Sequence, residues 1–470
     1  MNFEVIVGLE IHVQMKTKSK MFSSAPVSFG SAPNTNVSAF DMAFPGTMPL
    51  VNKQAVINAI RVCHALHMSI DDELWFDRKN YFYSDLPKGY QITQHKRPIG
   101  KNGYLKIDGR VIHIERLHIE EDACKQVHTN EYTYIDYNRA GIPLIEIVSE
   151  PEIRSGEEAM KYVEKIRSIV SFLEVSDGKM EEGSLRCDIN VSLKPIGSKK
   201  NGNKVEIKNV NTLTNIKNAI NYEIKRQERI LLSGEIVEQD TRRFDETSKQ
   251  TVSMRAKTDP IDYKYFTEPN ILPIKLSKEF IENAISTSPE LAEAKYARYK
   301  SLGLSDYDSG LLVANKDISN YFDEVIKHGT NPKLAANWVL VDIKAVLNKK
   351  EIEIKDLKVE PKHLAQLLMN VEKQKISNTQ ARDLFSQMLE SDSDPGRVLN
   401  NIDISLINDE QQLLKIIKEI LDANPQSIVD YKNGKERAIG FLVGQVLKLS
   451  QGKANPELTN RLIKEEMKDR

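Results

Sequence analysis

The chain has 470 residues, which at roughly 100–200 residues per domain allows about two to four domains and excludes a small disulfide-held scaffold. Apolar residues make up 40% and charged residues 28%, the balance of a folded globular protein, so wholesale disorder and fibrous repeats are set aside. The 66 basic and 67 acidic side chains leave a net charge of −1, so any contact with nucleic acid has to come from a local basic patch.

The N-terminal MNFEVIVGLE has no basic run before its apolar stretch, and no segment approaches about 18 apolar residues. Neither a cleaved signal nor a membrane span is expected, and the mature chain is expected to begin near Met1. In GLEIHVQ at 8–14 apolar and polar residues alternate strictly. Successive strand side chains point to opposite faces, so Glu10, His12 and Gln14 share one face and Leu9, Ile11 and Val13 the other. A carboxylate and an imidazole two apart, about 7 Å between Cα atoms, can converge on one divalent cation; an edge strand with a solvated polar face has the same pattern. Cys63, Cys124 and Cys187 are odd in number and never close in sequence, which supports neither a disulfide framework nor a thiolate clip and fits a reduced, cytoplasmic setting.

Further strands follow. IERLHIEED at 114–122 ends in three successive carboxylates, and IPLIEIVSEPE at 142–152 places Glu146 and Glu150 on one parity. Ser155 and Glu158 have capping-box spacing ahead of Ala159, Tyr162, Val163, Ile166, Ile169 and Val170, which predicts a helix. In GSLRCDINVS at 183–192, Arg186, Asp188, Asn190 and Ser192 take one face, and in KVEIKNV at 204–210 Lys204, Glu206 and Lys208 do the same. A second helix carries Ile216, Ile220, Ile224 and Leu231 and stops at Gly234. Strands mixed with helices predict an α+β domain over 1–289. A half-solvated antiparallel sheet also alternates, but this density of short acids, His and Arg favours an active-site sheet over a decorative one.

After Pro289 the periodicity turns helical, broken at Gly329-Thr330-Asn331-Pro332, Asp394-Pro395-Gly396 and Asn424-Pro425. This predicts all-α modules at 290–405 and 406–470. Positions 431–470 hold nine Lys or Arg against five Asp or Glu, with Lys432, Lys435, Arg437, Lys448 and Lys453 opposed to an apolar stripe of Ile439, Leu442, Val443, Val446 and Leu447. Composition alone reads this as an ordinary amphipathic helix pair with a solvated basic face.

No GxxxxGK[ST] loop, GxGxxG fingerprint or HExxH pair is present, so any ATP would need a carboxylate-held metal. No GxSxG elbow or glutaminase-type cysteine is present either, which predicts a chain that does not release its own ammonia.

Several blocks together closely resemble one family. They are VIVGLEIHVQ at 5–14, FDRKNYFYSDLPKGYQITQ at 76–94, LHIEEDACK at 117–125, DYNRAGIPLIEIVSEPEI at 136–153, KMEEGSLRCDINVSL at 179–193, VEIKNVN at 205–211, TRRFDE at 241–246, DYKYFTEP at 262–269 and GFLVGQVLKLSQGKANP at 440–456. The resemblance is to the B subunits of the aspartyl/glutamyl-tRNA amidotransferases. It implies a cradle-like N-terminal domain of the glutamine synthetase/guanidino-kinase type, with an antiparallel sheet as its floor. It implies ATP and Mg2+ as cofactors, phosphorylation of the side-chain carboxylate of Glu-tRNA(Gln) or Asp-tRNA(Asn), and displacement of the phosphate by ammonia from a separate amidase subunit. A small third subunit would complete a heterotrimer, and the C-terminal helices would bind the tRNA body, with Gly440 and Gly444 allowing close approach.

Carried over by motif, the resemblance implies Glu10, His12, Glu121 and Glu146 as metal-site residues, with His12 either a ligand or the orienter of a metal-bound water. Arg186, Lys208 and Arg255 are implied for the phosphates. Lys79, Glu182 and Asp188 are implied for the route of ammonia or for the activated carboxylate. Tyr81, Tyr83 and Tyr90 surround the SDLPKGY turn and either pack internally or stack on the tRNA end. Relatives often carry a four-cysteine zinc clip where this chain has Ser23, Ala25, Ser38 and Asp41. No structural zinc is expected, and the loop is expected to hold by packing alone through Pro33, Pro45 and Pro49. Two other classes remain open in the sequence: a catalytically silent tRNA-binding scaffold, and a free-standing ligase acting on a small amino acid.

Overall fold

A computed structural model describes residues 3–256, 262–390, 409–432, 435, 437–450 and 453–468. The chain divides into two compact units, Met1–Leu291 and Ala292–Arg470.

The first unit is built on a nine-stranded sheet. In chain order its strands are β1 (Phe3–Gln14), β2 (Ser69–Ile70), β3 (Gly100–Ile107), β4 (Arg110–Glu121), β5 (Pro143–Ser149), β6 (Leu185–Pro195), β7 (Val205–Val210), β8 (Asp240–Asp245) and β9 (Gln250–Ala256). Their order across the sheet is β9-β8-β7-β6-β1-β5-β4-β3-β2. β1 is central. It runs antiparallel to β6 from Phe3 opposite Pro195 to Val13 opposite Leu185, and antiparallel to β5 from Glu10 opposite Val148 to Gln14 opposite Leu144.

Three helices contribute to its core: α1 (Lys53–Ala65), α2 (Gly156–Phe172) and α3 (Leu213–Leu232). The expected antiparallel sheet has one exception, because β7 and β8 are parallel. The chain between them is α3, and a crossover of that length is what a parallel pair requires. The predicted capping of α2 forms at Ser155, whose Oγ accepts from the Glu158 N–H at 3.1 Å, while the Glu158 carboxylate reaches back to the Arg154 N–H at 2.8 Å. Gly234 closes α3 with φ 83°, a conformation that favours glycine. At Gly156 a Cβ would meet the Lys217 carbonyl at 2.6 Å, so glycine there lets α2 lie close against α3.

The core lies on one face of the sheet. Leu9, Ile11 and Val13 join Leu117, Ile119, Ile145, Ile147, Leu185 and Ile189 in a continuous buried cluster with Ala59 and Ile60 of α1, Val163 and Ile166 of α2, and Ile216 and Ile220 of α3. Each such aliphatic side chain contributes roughly 1.5–3 kcal/mol on burial. The opposite face of the same strands is left to polar side chains.

The loop after β1 is held by more than packing around Pro33, Pro45 and Pro49, which corrects that expectation. Asp41 accepts from the Ser23 hydroxyl at 3.1 Å and from the Ser38 N–H at 2.8 Å, and pairs with Lys20 at 3.3 Å. Lys20 also donates to the Tyr137 carbonyl at 3.1 Å. Lys20 and Asp41 are both buried, so each needs these partners. Three of the four positions where relatives carry the clip, Ser23, Ser38 and Asp41, thus meet as one polar knot, and the Ala25 N–H donates to Ser23 Oγ at 3.4 Å.

The elements described in the second unit are all helices, from Ala292–Ser301 to Pro456–Lys468. It holds two apolar clusters, one around Tyr299, Trp338 and Phe385 and one around Leu413, Leu442 and Ile463. The module boundary expected at 405 and the Asp394-Pro395-Gly396 turn lie outside the described residues. Lys432, Lys435, Arg437, Lys448 and Lys453 are exposed, and Ile439, Leu442 and Val446 are buried. Among the described residues no helix is long and apolar enough to cross a membrane.

Candidate active site

The polar face of the sheet follows directly from strand alternation. With Leu117, Ile119, Ile145, Ile147, Leu9, Ile11, Leu185 and Cys187 committed to the core, the side chains between them project the other way. The register aligns them. Glu146 stands opposite both His118 and His12, and His12 stands opposite Arg186, so four functional side chains form one row across β4, β5, β1 and β6. In the next rows Glu10 faces Asp188, and Asn190 faces Glu206. An irregularity in β7, where Cys187 pairs with Val210 but Ile189 with Ile207, leaves Asn209 at φ 58°. This bulge lets Lys208 and Asn209 both line the same cleft.

That cleft encloses about 430 Å3, with the sheet as its floor and Lys79, Tyr81 and Tyr263 on one wall. Lys79 comes from the short strand Asp77–Asn80, which pairs with Tyr90–Thr93 and Phe266–Thr267. Its ammonium lies 4.8 Å from the Tyr263 ring centroid and 5.9 Å from that of Tyr81. Tyr81 and Tyr90 are half-buried, whereas Tyr83 is exposed.

At the centre, ligand atoms of His12, Glu120 and Glu146 all lie within 4.8 Å of one another. His12 Nε2 is 3.5 Å from carboxylate oxygens of both Glu120 and Glu146. His118 Nε2 approaches the same two acids from behind, at 2.9 Å from Glu146 and 3.5 Å from Glu120. Burial works against a charged His118 ring, but Glu146 and Glu120 outweigh it and push its pKa up to about 9. Reciprocally, burial would raise the Glu146 carboxyl, but His118 and His12 hold it well below the usual range. Glu10 moves the other way, raised by burial and by Glu146 and Asp188, although the Asn190 amide donates to it at 3.0 Å. Burial depresses Lys79, and the charges of Glu120 and Glu146 among its neighbours more than reverse that.

Among the described residues of the lining, Glu10, Glu120, Asp122, Glu146, Asp188 and Glu206 face the three permanent cations Lys79, Arg186 and Lys208. The cations are themselves engaged. Arg186 donates to Asp122 at 2.9 Å, and Lys208 donates to Asp188 at 2.7 Å and lies 3.2 Å from Glu206. A surplus of carboxylate oxygens is a donor set suited to a hard divalent cation, so the acids present fit magnesium, with the His12 imidazole placed either to ligate it or to orient a metal-bound water.

The structure brings together most of the residues singled out from the sequence. Glu10, His12, Glu146, Lys79, Asp188, Arg186 and Lys208 all line the cleft. Glu121 does not. Its carboxylate accepts from Lys88 at 2.8 Å and from the Ile92 N–H at 3.0 Å, and it is buried on the other side of the strand. The neighbouring Glu120 takes the place expected for it. Glu182 is exposed, pairs with Lys179 at 2.7 Å and is not among the residues lining the cleft. Arg255 stands opposite Thr241 in β9, and its side chain lies outside the described residues. His118, Glu120 and Asp122 join the site without having been singled out by the sequence. The signal for the first two was present: in LHIEE, Leu117 and Ile119 fix the core parity, which sends His118 and Glu120 to the polar face.

Residues 5–282, which contain the whole cleft, match the family model described as the GatB/GatE catalytic domain, and residues 320–467 match that described as the GatB domain. The chain is 47% identical over 476 residues to the B subunit of the aspartyl/glutamyl-tRNA(Asn/Gln) amidotransferase of Geobacillus thermodenitrificans, covering 100% of both chains. It is 48% identical to the corresponding subunit of Bacillus cytotoxicus and 46% identical to that of Bacillus velezensis, each over 476 residues and the full length of both chains. A catalytic-domain match over the cleft, joined to likeness along the entire chain, places this protein in the GatB family of aspartyl/glutamyl-tRNA amidotransferase B subunits.

Proposed function

We propose that this chain is the component of a tRNA-dependent amidotransferase that activates the side-chain carboxylate of tRNA-bound Glu or Asp, by ATP-dependent phosphorylation, for attack by ammonia. The relatives' names supply the substrate class, aspartyl- and glutamyl-tRNA for Asn and Gln, and their designation as subunits supplies the expectation of partners. Those partners are an amidase subunit, which yields the ammonia, and a small third subunit, in the cytoplasm. The single observation that carries the chemistry is the convergence of His12, Glu120 and Glu146 on the floor of a carboxylate-rich cleft.

A carboxylate is a poor acyl donor because oxide is a poor leaving group. Its oxygen attacks the terminal phosphorus of ATP and ADP departs. Ammonia then adds at the acyl carbon, phosphate leaves, and the nitrogen sheds a proton. His12, Glu120 and Glu146 would hold magnesium, with Glu10 beside them. When bound, the ion neutralises charge on the phosphate oxygens and aligns them for transfer. Arg186 and Lys208 hold phosphate oxygens by charge-assisted hydrogen bonds. Lys79, whose raised pKa keeps it charged, faces the carboxylate being activated. Asp188, positioned by Lys208, accepts the proton from the attacking nitrogen. The exposed basic residues of the C-terminal helices contact tRNA phosphates.

The test is amidation of misacylated tRNA by the assembled complex with its amidase disabled, supplied with ATP, Mg2+ and ammonium. Glu146→Gln and Glu120→Gln are each expected to lower product formation about 10²–10³-fold. Unchanged amidation in both variants would overturn the kinase assignment.

A further inference from the structure

We propose that His118 is a positioning residue that sets the two carboxylates Glu120 and Glu146 in the orientation needed to bind a divalent cation, without itself touching the cation. The inference rests on reading His12, Glu120 and Glu146 as the metal-binding set.

The two histidines near these acids are not equivalent. His12 lines the cleft and its side chain retains 22% exposure; His118 is absent from the lining and retains 8%. The ligand atoms of His12, Glu120 and Glu146 cluster within 4.8 Å, and His118 is not a member of that cluster. Its Nε2 lies 2.9 Å from Glu146 Oε2, the oxygen that His12 Nε2 also approaches at 3.5 Å, and 3.5 Å from Glu120 Oε2, while Glu120 Oε1 turns toward His12. One imidazole nitrogen therefore sits between two acids that come from different strands, β4 and β5. The other ring nitrogen, Nδ1, is buried and has no hydrogen-bond partner.

Strand register explains why the ring sits there. His118 is directly opposite Glu146 in the β4–β5 pair, and Glu120 is two residues on along the same face. Side chains at such positions are held a few ångströms apart by the ladder, so His118 needs no flexible reach to bridge them. Two carboxylates brought this close repel one another, and a donor placed between them on the buried side keeps their other lone pairs aimed into the cleft. Hydrogen bonds of this kind to metal-binding groups typically change metal affinity or activity by about 10–100-fold when removed.

The experiment measures Mn2+ binding to the full-length chain by electron paramagnetic resonance, with Mn2+ standing in for Mg2+, for wild type, His118→Leu, His118→Gln and Glu146→Gln. The amide of Gln can still donate to a carboxylate at that reach, whereas Leu keeps volume and removes the donor. The expected result is a Kd for Mn2+ about 10–100-fold weaker in His118→Leu, with most of that loss restored in His118→Gln and no tight site in Glu146→Gln. In the assembled complex, the Mg2+ concentration for half-maximal amidation rises in His118→Leu by a similar factor, while the rate at saturating Mg2+ changes much less. A merely structural role would lower thermal stability in both His118 variants without this separation. Mn2+ binding within two-fold of wild type in His118→Leu, or equal weakening in Leu and Gln, overturns the positioning role if Glu146→Gln has lost the site. Wild-type binding in Glu146→Gln overturns the metal-site reading, and the positioning role with it. Should His118→Leu fail to fold, His118→Gln binding no better than Glu146→Gln decides against the proposal.

Discussion

The two faces of the nine-stranded sheet are made by the same strands and differ in what holds them. On one face Leu9, Ile11, Val13, Ile145 and Ile147 lose their surface to α1, α2 and α3, and nothing is left to bind. On the other, acids outnumber the permanent cations, and Glu10 is already pushed toward protonation by its neighbours. The apolar face holds the unit together; on the function proposed above, a cation and a phosphate-bearing substrate complete the polar face. Stability and function are thus separated by a single residue step along each strand.

Four substitutions sharpen or break that contrast. The largest effect is expected on the polar face, where Glu146→Gln should lower amidation about 10²–10³-fold, the cost of removing one electrostatic stabiliser in a closed site. Circular dichroism should show the fold retained; comparable loss of activity and of fold would erase the distinction between the faces. On the apolar face, Ile11→Ala should cost about 2–5 kcal/mol in denaturant unfolding, while the folded fraction keeps its metal affinity. If that affinity falls along with stability, the faces are not separable.

The third prediction concerns Asp122, which borders both. Burial would raise its carboxyl, but Arg186 and Arg139, with the Gln14 amide, hold it below the ordinary value. A depressed folded pKa gives stability that is present above the unfolded value of about 3.9 and lost as pH falls through the folded one. Asp122→Asn should therefore cost about 1 kcal/mol near neutrality, since Arg186 and Arg139 are partly exposed, and its deficit against wild type should shrink only below about pH 4. A deficit that is constant with pH would mean the ion pair contributes nothing. The smallest effect is expected at Glu182, outside the cleft: Glu182→Ala should leave amidation within about two-fold of wild type, as befits an exposed ion pair.

Much of this was legible in the sequence because strand alternation is a strict code. GLEIHVQ, LRCDINV and VEIKN assign Glu10, His12, Arg186, Asp188 and Lys208 to one face without further information, and the structure places all five on the cleft. Glu121 came from the family resemblance and not from periodicity; Leu117 and Ile119 set the core parity that sends Glu120 into the cleft and Glu121 away from it. What pairs with Glu121 was not legible at all, since Lys88 lies in a turn whose approach to β4 depends on tertiary packing. The same holds for Lys20 and Asp41, far apart in sequence and joined only by the path of the loop. The helical character after Pro289 and the caps at Ser155 and Gly234 were readable from local chemistry. The parallel β7–β8 pair was not read from the sequence, where no strand was assigned after the second helix and the sheet was expected to be antiparallel.

The central claim is that the polar face activates a carboxylate by phosphorylation before any nitrogen arrives. Its most direct test is single-turnover formation of ADP by the assembled complex given ATP, Mg2+ and misacylated tRNA, with no ammonia source. The account predicts ADP formation that requires the misacylated tRNA and disappears in Glu120→Gln and Glu146→Gln. ADP released at the wild-type rate by those variants, or without the aminoacyl-tRNA, would contradict it.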